Sequence, residues 1–246
     1  MTMIRKKINI DVFFILLFAG IFISGCDTHS YRTLKQTEEA NKKQESLEEI
    51  NEDIKPLSPN DTAIITHTAA LKTSMGTIIL GLYGEDAPET VANFIGLSKL
   101  NHYNGVLFHR VAKDFLIQAG DRNTLFQHKK NEWGFGGESF YGGEIEDELN
   151  PNTPSYRQGY KKGVVAMANK GPNTNTSQFF ICLEDAQKLE RNFSIFGKVV
   201  KGMDVVENIS NVPVEKSDRG LHDGIPVKPV RIYSVEIQLI KAPKIK

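Results

Sequence analysis

A chain of 246 residues has room for one domain of ordinary size plus extensions. Hydrophobic content of 40% and charged content of 24% match a soluble globular protein. The 30 basic and 30 acidic side chains cancel, which leaves no electrostatic footprint for nucleic acid, and 2 cysteines exclude a disulfide-stapled miniprotein and a four-cysteine zinc site.

The first element is a targeting segment. Arg5, Lys6 and Lys7 form a basic start, and residues 12–23 are an unbroken apolar run. That run is short for a bilayer span of about 20 residues and suits the apolar region of a signal peptide. It closes on Ile23-Ser24-Gly25-Cys26, which resembles the lipobox of bacterial lipoprotein signals. The resemblance implies a signal peptide over 1–25, cleavage before Cys26, and acyl chains on that cysteine. Two or more chains anchor stably where one holds only marginally. The expected location is therefore extracytoplasmic and membrane-anchored, on the periplasmic or cell-surface side. Residues 26–61 read as a lipidated polar tether. They are rich in Lys, Glu, Gln and Asn, with Leu34, Leu47, Ile50 and Ile54 too sparse to offset the entropy of ordering a core. An interaction helix is the alternative there, and Pro56 and Pro59 would stop it.

The folded domain is expected over 62–246. Residues 63–72 and 77–83 are β-type runs joined by Thr73-Ser74-Met75-Gly76. Residues 88–100 have helical spacing, with Val91, Phe94, Ile95 and Leu97 on the apolar face, Pro88 in the first turn and Asn101 able to end the helix. Residues 122–161 are Gly-rich and polar and read as a long surface excursion of the kind that is functional or disordered. Strands follow at 163–168, 178–183 and 193–200, then a short helix at 203–209 and a cleanly alternating closing strand at 230–240. Many short strands with two helices predict a mainly β fold, a closed eight-stranded antiparallel barrel with the helices capping it.

The stretch 107–121 stands out. It is two short apolar runs around a polar break at Lys113-Asp114. A turn centred on Asp114 places Arg110 and Gln118 opposite each other across a hairpin. A charged fork propped by an amide, beside Phe115 and Leu116, makes a poor core and a good site.

Three segments, FHRVAKDFLIQAGD (108–121), GVVAMANKGPNTNTSQFFI (163–181) and FSIFGKVVKGMDVV (193–206), resemble in consistent order the cyclophilin-type peptidyl-prolyl cis-trans isomerases. The resemblance implies the barrel with two helices, no cofactor and no metal. It also implies a monomer acting on proline-containing peptides and on unfolded or folding proteins. By position, Arg110 is the implied catalytic residue. Phe115, Leu116, Phe180, Leu189 and Phe193 are the implied lining of a proline pocket. Gln118, Ala168, Asn169 and Gln178 are implied to hold the peptide backbone or to orient the arginine, with His109 behind them. Lys188 stands where many members carry a tryptophan that contacts cyclosporin, Phe193 where histidine is frequent and Leu116 where methionine is frequent. Weak cyclosporin inhibition is the expectation.

The chemistry asks for these residue types. The bond before proline has partial double-bond character and a rotation barrier of about 18–20 kcal/mol, so uncatalysed exchange takes tens of seconds or longer. In the twisted transition state the prolyl nitrogen regains its lone pair, and a guanidinium donor binds it better there than in the planar amide. Arginine stays charged, so Arg110 is expected as a fixed donor and not a proton-transfer acid. Apolar surroundings disfavour the more dipolar planar form.

Other readings weigh less. His109, Asp121 and Ser177 make a hydrolase triad on paper but without a G-x-S-x-G elbow. The acidic run Glu144, Glu146, Asp147, Glu148 reads as a solvated loop rather than a calcium site, and Cys182 as a buried strand residue. The functional alternative is a proline-peptide binding module or chaperone on the same fold with little catalysis.

Overall fold

The computed structural model describes residues 63–186, 189–218 and 220–240. The signal segment, Cys26, the tether and Lys188 lie outside the described residues. In chain order the elements are β1 (His67–Thr73), β2 (Gly76–Leu82), α1 (Pro88–Lys99), β3 (Arg110–Ala112), β4 (Leu116–Ala119), 3-10 turns at Arg122–Leu125 and Gln127–Glu132, α2 (Pro154–Gln158), β5 (Val164–Met167), β6 (Phe179–Cys182), β7 (Ile195–Lys201), α3 (Met203–Ser210), β8 (Asp223–Gly224) and β9 (Ile232–Leu239). Among the described residues no helix is long and apolar enough to cross a membrane.

All strand pairs are antiparallel, in the order β8-β3-β4-β6-β5-β7-β2-β1-β9. This corrects the expected closed eight-stranded barrel to an open, curled nine-stranded sheet. The eight predicted strands are present, and the ninth, β8, extends the sheet beyond β3. It was missed because two residues are too few to show an alternating pattern. Where a barrel would close, the segment before β3 meets the start of β9 in one isolated bridge, Leu107 to Arg231. Phe108 N donates to Val230 O (2.9 Å) and Ile232 N to Val106 O (2.8 Å) beside it.

Strict alternation gives the sheet two apolar faces. One carries Leu71, Ile78, Leu80, Val111, Ile117, Val165, Phe179, Ile181 and Phe196 and is covered by α1 through Val91, Phe94 and Leu97 and by α3 through Val206 and Ile209. Phe94 sits among Tyr103, Phe179 and Phe196, with centroids 5.0, 5.7 and 5.4 Å away, in tilted or edge-on arrangements that suit the ring quadrupoles. The other face carries Ala112, Leu116, Val164, Ala166, Phe180, Cys182 and Ile195. The site lies on that second face.

Helix α1 ends as its sequence predicts. Asn101 takes φ 57°, His102 N donates to Leu97 O (3.0 Å) and Asn101 N to Ser98 O (3.0 Å), the paired bonds of a Schellman stop. Its start is capped from a distance. Ala87 offers no side-chain cap, and the Glu148 carboxylate accepts from Glu89 N (3.0 Å) and Thr90 N (2.8 Å).

The excursion is therefore part of the fold. Asp121, fully buried, accepts from Asn123 N (2.8 Å), Gly134 N (2.6 Å) and Gly136 N (3.1 Å). Buried Asn93 of α1 donates to Thr176 O (2.7 Å) and accepts from Phe140 N (2.7 Å). The acidic run is not simply solvated: Glu148 caps α1, and Asp147 accepts from Asn173 N (2.8 Å) and Asn175 Nδ2 (2.7 Å).

Candidate active site

The β3–β4 hairpin has the predicted register, Arg110 opposite Gln118. Its turn is closed by Phe115 N donating to Ala112 O (3.1 Å), with Asp114 at φ 56°, a left-handed conformation that aspartate tolerates. Gln118 in turn lies opposite Phe180 on β6, Phe180 opposite Ala166 on β5, and Ala166 opposite Ile195 on β7. One cross-strand row thus runs from a cation through an amide to an aromatic ring and on into apolar surface.

The predicted residues fall into two groups along this row. Leu116 and Phe180 are buried in the apolar cluster, with Phe115, Ala168, Leu189 and Phe193 half-buried against it. Phe180 and Phe193 meet edge-on at 5.5 Å. Tyr160, which sequence reasoning left in the excursion, braces them. Its ring centroid is 6.3 Å from both, its hydroxyl donates to Phe193 O (3.0 Å), and it accepts from Phe193 N (3.0 Å). Burial raises the Tyr160 phenol to about 12, so it stays a neutral brace.

Gln118, Asn169 and Gln178 instead line a recess of about 460 Å³, to which Ala168 also contributes and whose other wall is the excursion at Gly134, Gly136, Gly137, Glu138 and Ser139. Gln118 Nε2 donates to Gln178 Oε1 (2.9 Å), and Gln178 Nε2 donates to the carbonyls of Gly134 (3.0 Å) and Gly136 (2.5 Å). Asn169 Nδ2 donates to Asn192 O (2.8 Å). Gly120, at φ 102°, lets β4 pass the 177–178 backbone, where a Cβ would collide with the Ser177 carbonyl.

The structure separates two residues expected to act together. Gln118 does not prop Arg110; its amide is committed to Gln178. The guanidinium is held by Asp223 of β8, Nε to Oδ1 at 2.9 Å and Nη2 to Oδ2 at 2.7 Å. Sequence reasoning missed Asp223, which lies in a run of Gly, Leu and His that reads as loop.

His109 is buried behind the row, and neither ring nitrogen makes a well-formed hydrogen bond. Loss of hydration pulls its pKa down to about 4. The Asp121 charge, nearby Gln178 and the Leu107 backbone oppose this without offsetting it, and Arg110 adds to it. The paper triad is not assembled: Ser177 Oγ donates to Gly120 O (2.7 Å), while the Asp121 carboxylate is committed to backbone N–H groups. Cys182 is buried and free, its thiol raised to about 12 mainly by desolvation.

Sheet and site together set a cation, an amide and an apolar cluster in one row beside an open recess. The family described as cyclophilin type peptidyl-prolyl cis-trans isomerase/CLD matches residues 68–237. The chain is 42% identical over 163 residues to the human peptidyl-prolyl cis-trans isomerase-like 1, covering 66% of this chain and 89% of that one. It is 40% identical over 153 residues to CYP18-2 of Arabidopsis thaliana, another peptidyl-prolyl cis-trans isomerase, covering 62% and 86%. A crystal structure of a cyclophilin-type isomerase from Cryptosporidium parvum superposes with a TM-score of 0.60 at 30% identity, covering 72% of this chain and 100% of that one. A second structure of that protein was obtained in the presence of the dipeptide Ala-Pro, with a TM-score of 0.58. The chain belongs to the cyclophilin-type peptidyl-prolyl cis-trans isomerases, and its activity is peptidyl-prolyl cis-trans isomerisation.

Proposed function

We propose that this isomerase turns X-Pro bonds with Arg110 as the donor to the prolyl nitrogen, and that it does so on extracytoplasmic proteins as a monomer held at a membrane by lipid on Cys26. The observation that carries the catalytic reading is the row Arg110–Gln118–Phe180 across β3, β4 and β6. A proline ring against Phe180 and Phe193 brings its nitrogen toward the cation at the other end of that row. The preceding residues of the peptide extend into the recess along Ala168, Asn169 and Gln178. Leu116 and Phe115 complete the apolar side, with Leu189 at its rim.

In the planar amide the nitrogen lone pair is delocalised and accepts poorly. Rotation localises it, so an N–H of Arg110 strengthens as the bond twists, and only interactions that strengthen in this way accelerate the step. The aromatic surround disfavours the more dipolar planar form. No proton changes hands, which suits a guanidinium that does not titrate.

The test is NMR exchange or protease-coupled turnover on an Ala-Pro peptide, wild type against Arg110→Ala. Loss of one transition-state donor of this kind costs about 10²–10³-fold in kcat. A chain that binds the peptide but turns over equally with or without the guanidinium would make this protein a proline-peptide holder on an isomerase fold.

A further inference from the structure

We propose that Asp223 is a positioning residue for catalysis, fixing the Arg110 guanidinium on one edge so that its remaining donors face the peptide. The inference rests on the reading of Arg110 as the donor. Arginine offers five N–H groups in a rigid fork on a long, freely rotating stem. Asp223 takes the Nε and one Nη2 donor, at 2.9 and 2.7 Å, in the bidentate arrangement that fixes the plane of the fork. That leaves the Nη1 donors and the second Nη2 donor for substrate. Both partners are only partly exposed, with side chains 25% and 18% accessible, so water competes weakly for the pair.

The backbone is arranged to deliver this carboxylate. β8 pairs with β3 with Asp223 opposite Ala112 and Gly224 opposite Val111. Ala112 and Arg110 share a face of β3, so Asp223 is the diagonal neighbour of the arginine. A strand of two residues cannot hold itself, and the surrounding segment holds it. Lys113 N donates to His222 O (2.9 Å), Glu215 N donates to Ile225 O (2.8 Å), and Ser217 Oγ donates to the Asp223 carbonyl. A Cβ at Gly224 would strike the Glu215 carbonyl, so glycine is what lets the two backbones close. Lys130 pairs with Glu215 and ties the same segment to the second 3-10 turn. The separation of 113 residues between arginine and carboxylate is thus bridged by a hairpin-like segment, 213–227, whose returning arm carries β8.

The experiment measures kcat and KM on an Ala-Pro peptide for the full chain, with Asp223→Ala, Asp223→Asn, Arg110→Ala and the double variant Arg110→Ala/Asp223→Ala. The Arg110 Nε–H resonance is followed by NMR, and folding is checked by circular dichroism. Asp223→Ala is expected to lower kcat about tenfold or more with KM little changed, as misplacing a reacting group does, and to broaden the Nε–H signal. Asp223→Asn, which keeps an acceptor and the side-chain shape, is expected to recover part of the loss and serves if the alanine variant fails to fold. In the double variant Asp223→Ala should cost nothing beyond Arg110→Ala. Wild-type or raised kcat in both Asp223 variants overturns the proposal, as does an equal loss from Asp223→Ala whether or not Arg110 is present. Full turnover by Arg110→Ala overturns the reading of Arg110 itself, a separate result.

Discussion

His109 carries the clearest electrostatic consequence of a single residue. Its ring is buried without a well-formed partner and held neutral, with a pKa near 4 against an ordinary value of 6.5. Between those two values the unfolded chain binds a proton that the folded chain refuses, so stability falls as pH falls through that window. His102 is shifted the same way, mainly by burial. The expected contribution of His109 is about 3 kcal/mol lost between pH 6.5 and 4. Urea unfolding of wild type and His109→Phe at several pH values checks it: the variant should show a flatter profile, and parallel profiles would mean the histidine is hydrated. Identity at this position was legible in the sequence, but its isolation was not. A ring's burial depends on Gly134 and the excursion packing over it, and Gly134 comes within 3.4 Å of the ring if given a Cβ.

At the scale of elements, the periodic ones were readable and the short ones were not. The hairpin register and both ends of α1 follow from local chemistry: a polar break, a proline in the first turn, an asparagine at the stop. The cap on α1 does not, because Glu148 reaches its first turn from about 58 residues away. The capping carboxylate also faces the positive end of the helix dipole. Glu148→Gln should therefore cost about 1 kcal/mol of stability, read as a lower urea midpoint at unchanged m-value. A midpoint equal to wild type would mean the first turn is satisfied by water. β8 was illegible for another reason. Strand signals are statistical and need several residues, whereas this strand exists only because β3 and the 213–227 segment hold it from both sides. The loss matters, since β8 carries Asp223.

At the scale of the whole molecule, the mainly β antiparallel fold and the pairing of Arg110 with Gln118 were legible, because three long motifs fall on five neighbouring strands. The open order was not, since closure is decided by which edges meet rather than by how many strands there are. Nor was the role of residues 122–161, whose polar sequence looks like surface but whose Gly134 and Gly136, held by Asp121, build one wall of the recess and whose Tyr160 braces Phe193. The proposed placement in the cell is a separate matter and rests on the reading of Cys26 as a lipidated residue. In a bacterial host, metabolic labelling with a tagged fatty acid should mark the wild-type chain and leave Cys26→Ser unmarked and shifted from the membrane to the soluble fraction. Labelling of the serine variant would put the anchor elsewhere.

The ladder between β1 and β9 joins His67 to Leu239 and Thr73 to Ile232, the two extremes of the folded region. Contacts so distant in sequence are slow to make, because loop closure comes before any reward. They also cannot exist until the last strand has been synthesised. A catalyst of proline isomerisation thus completes its own sheet late, only once β9 has found β1.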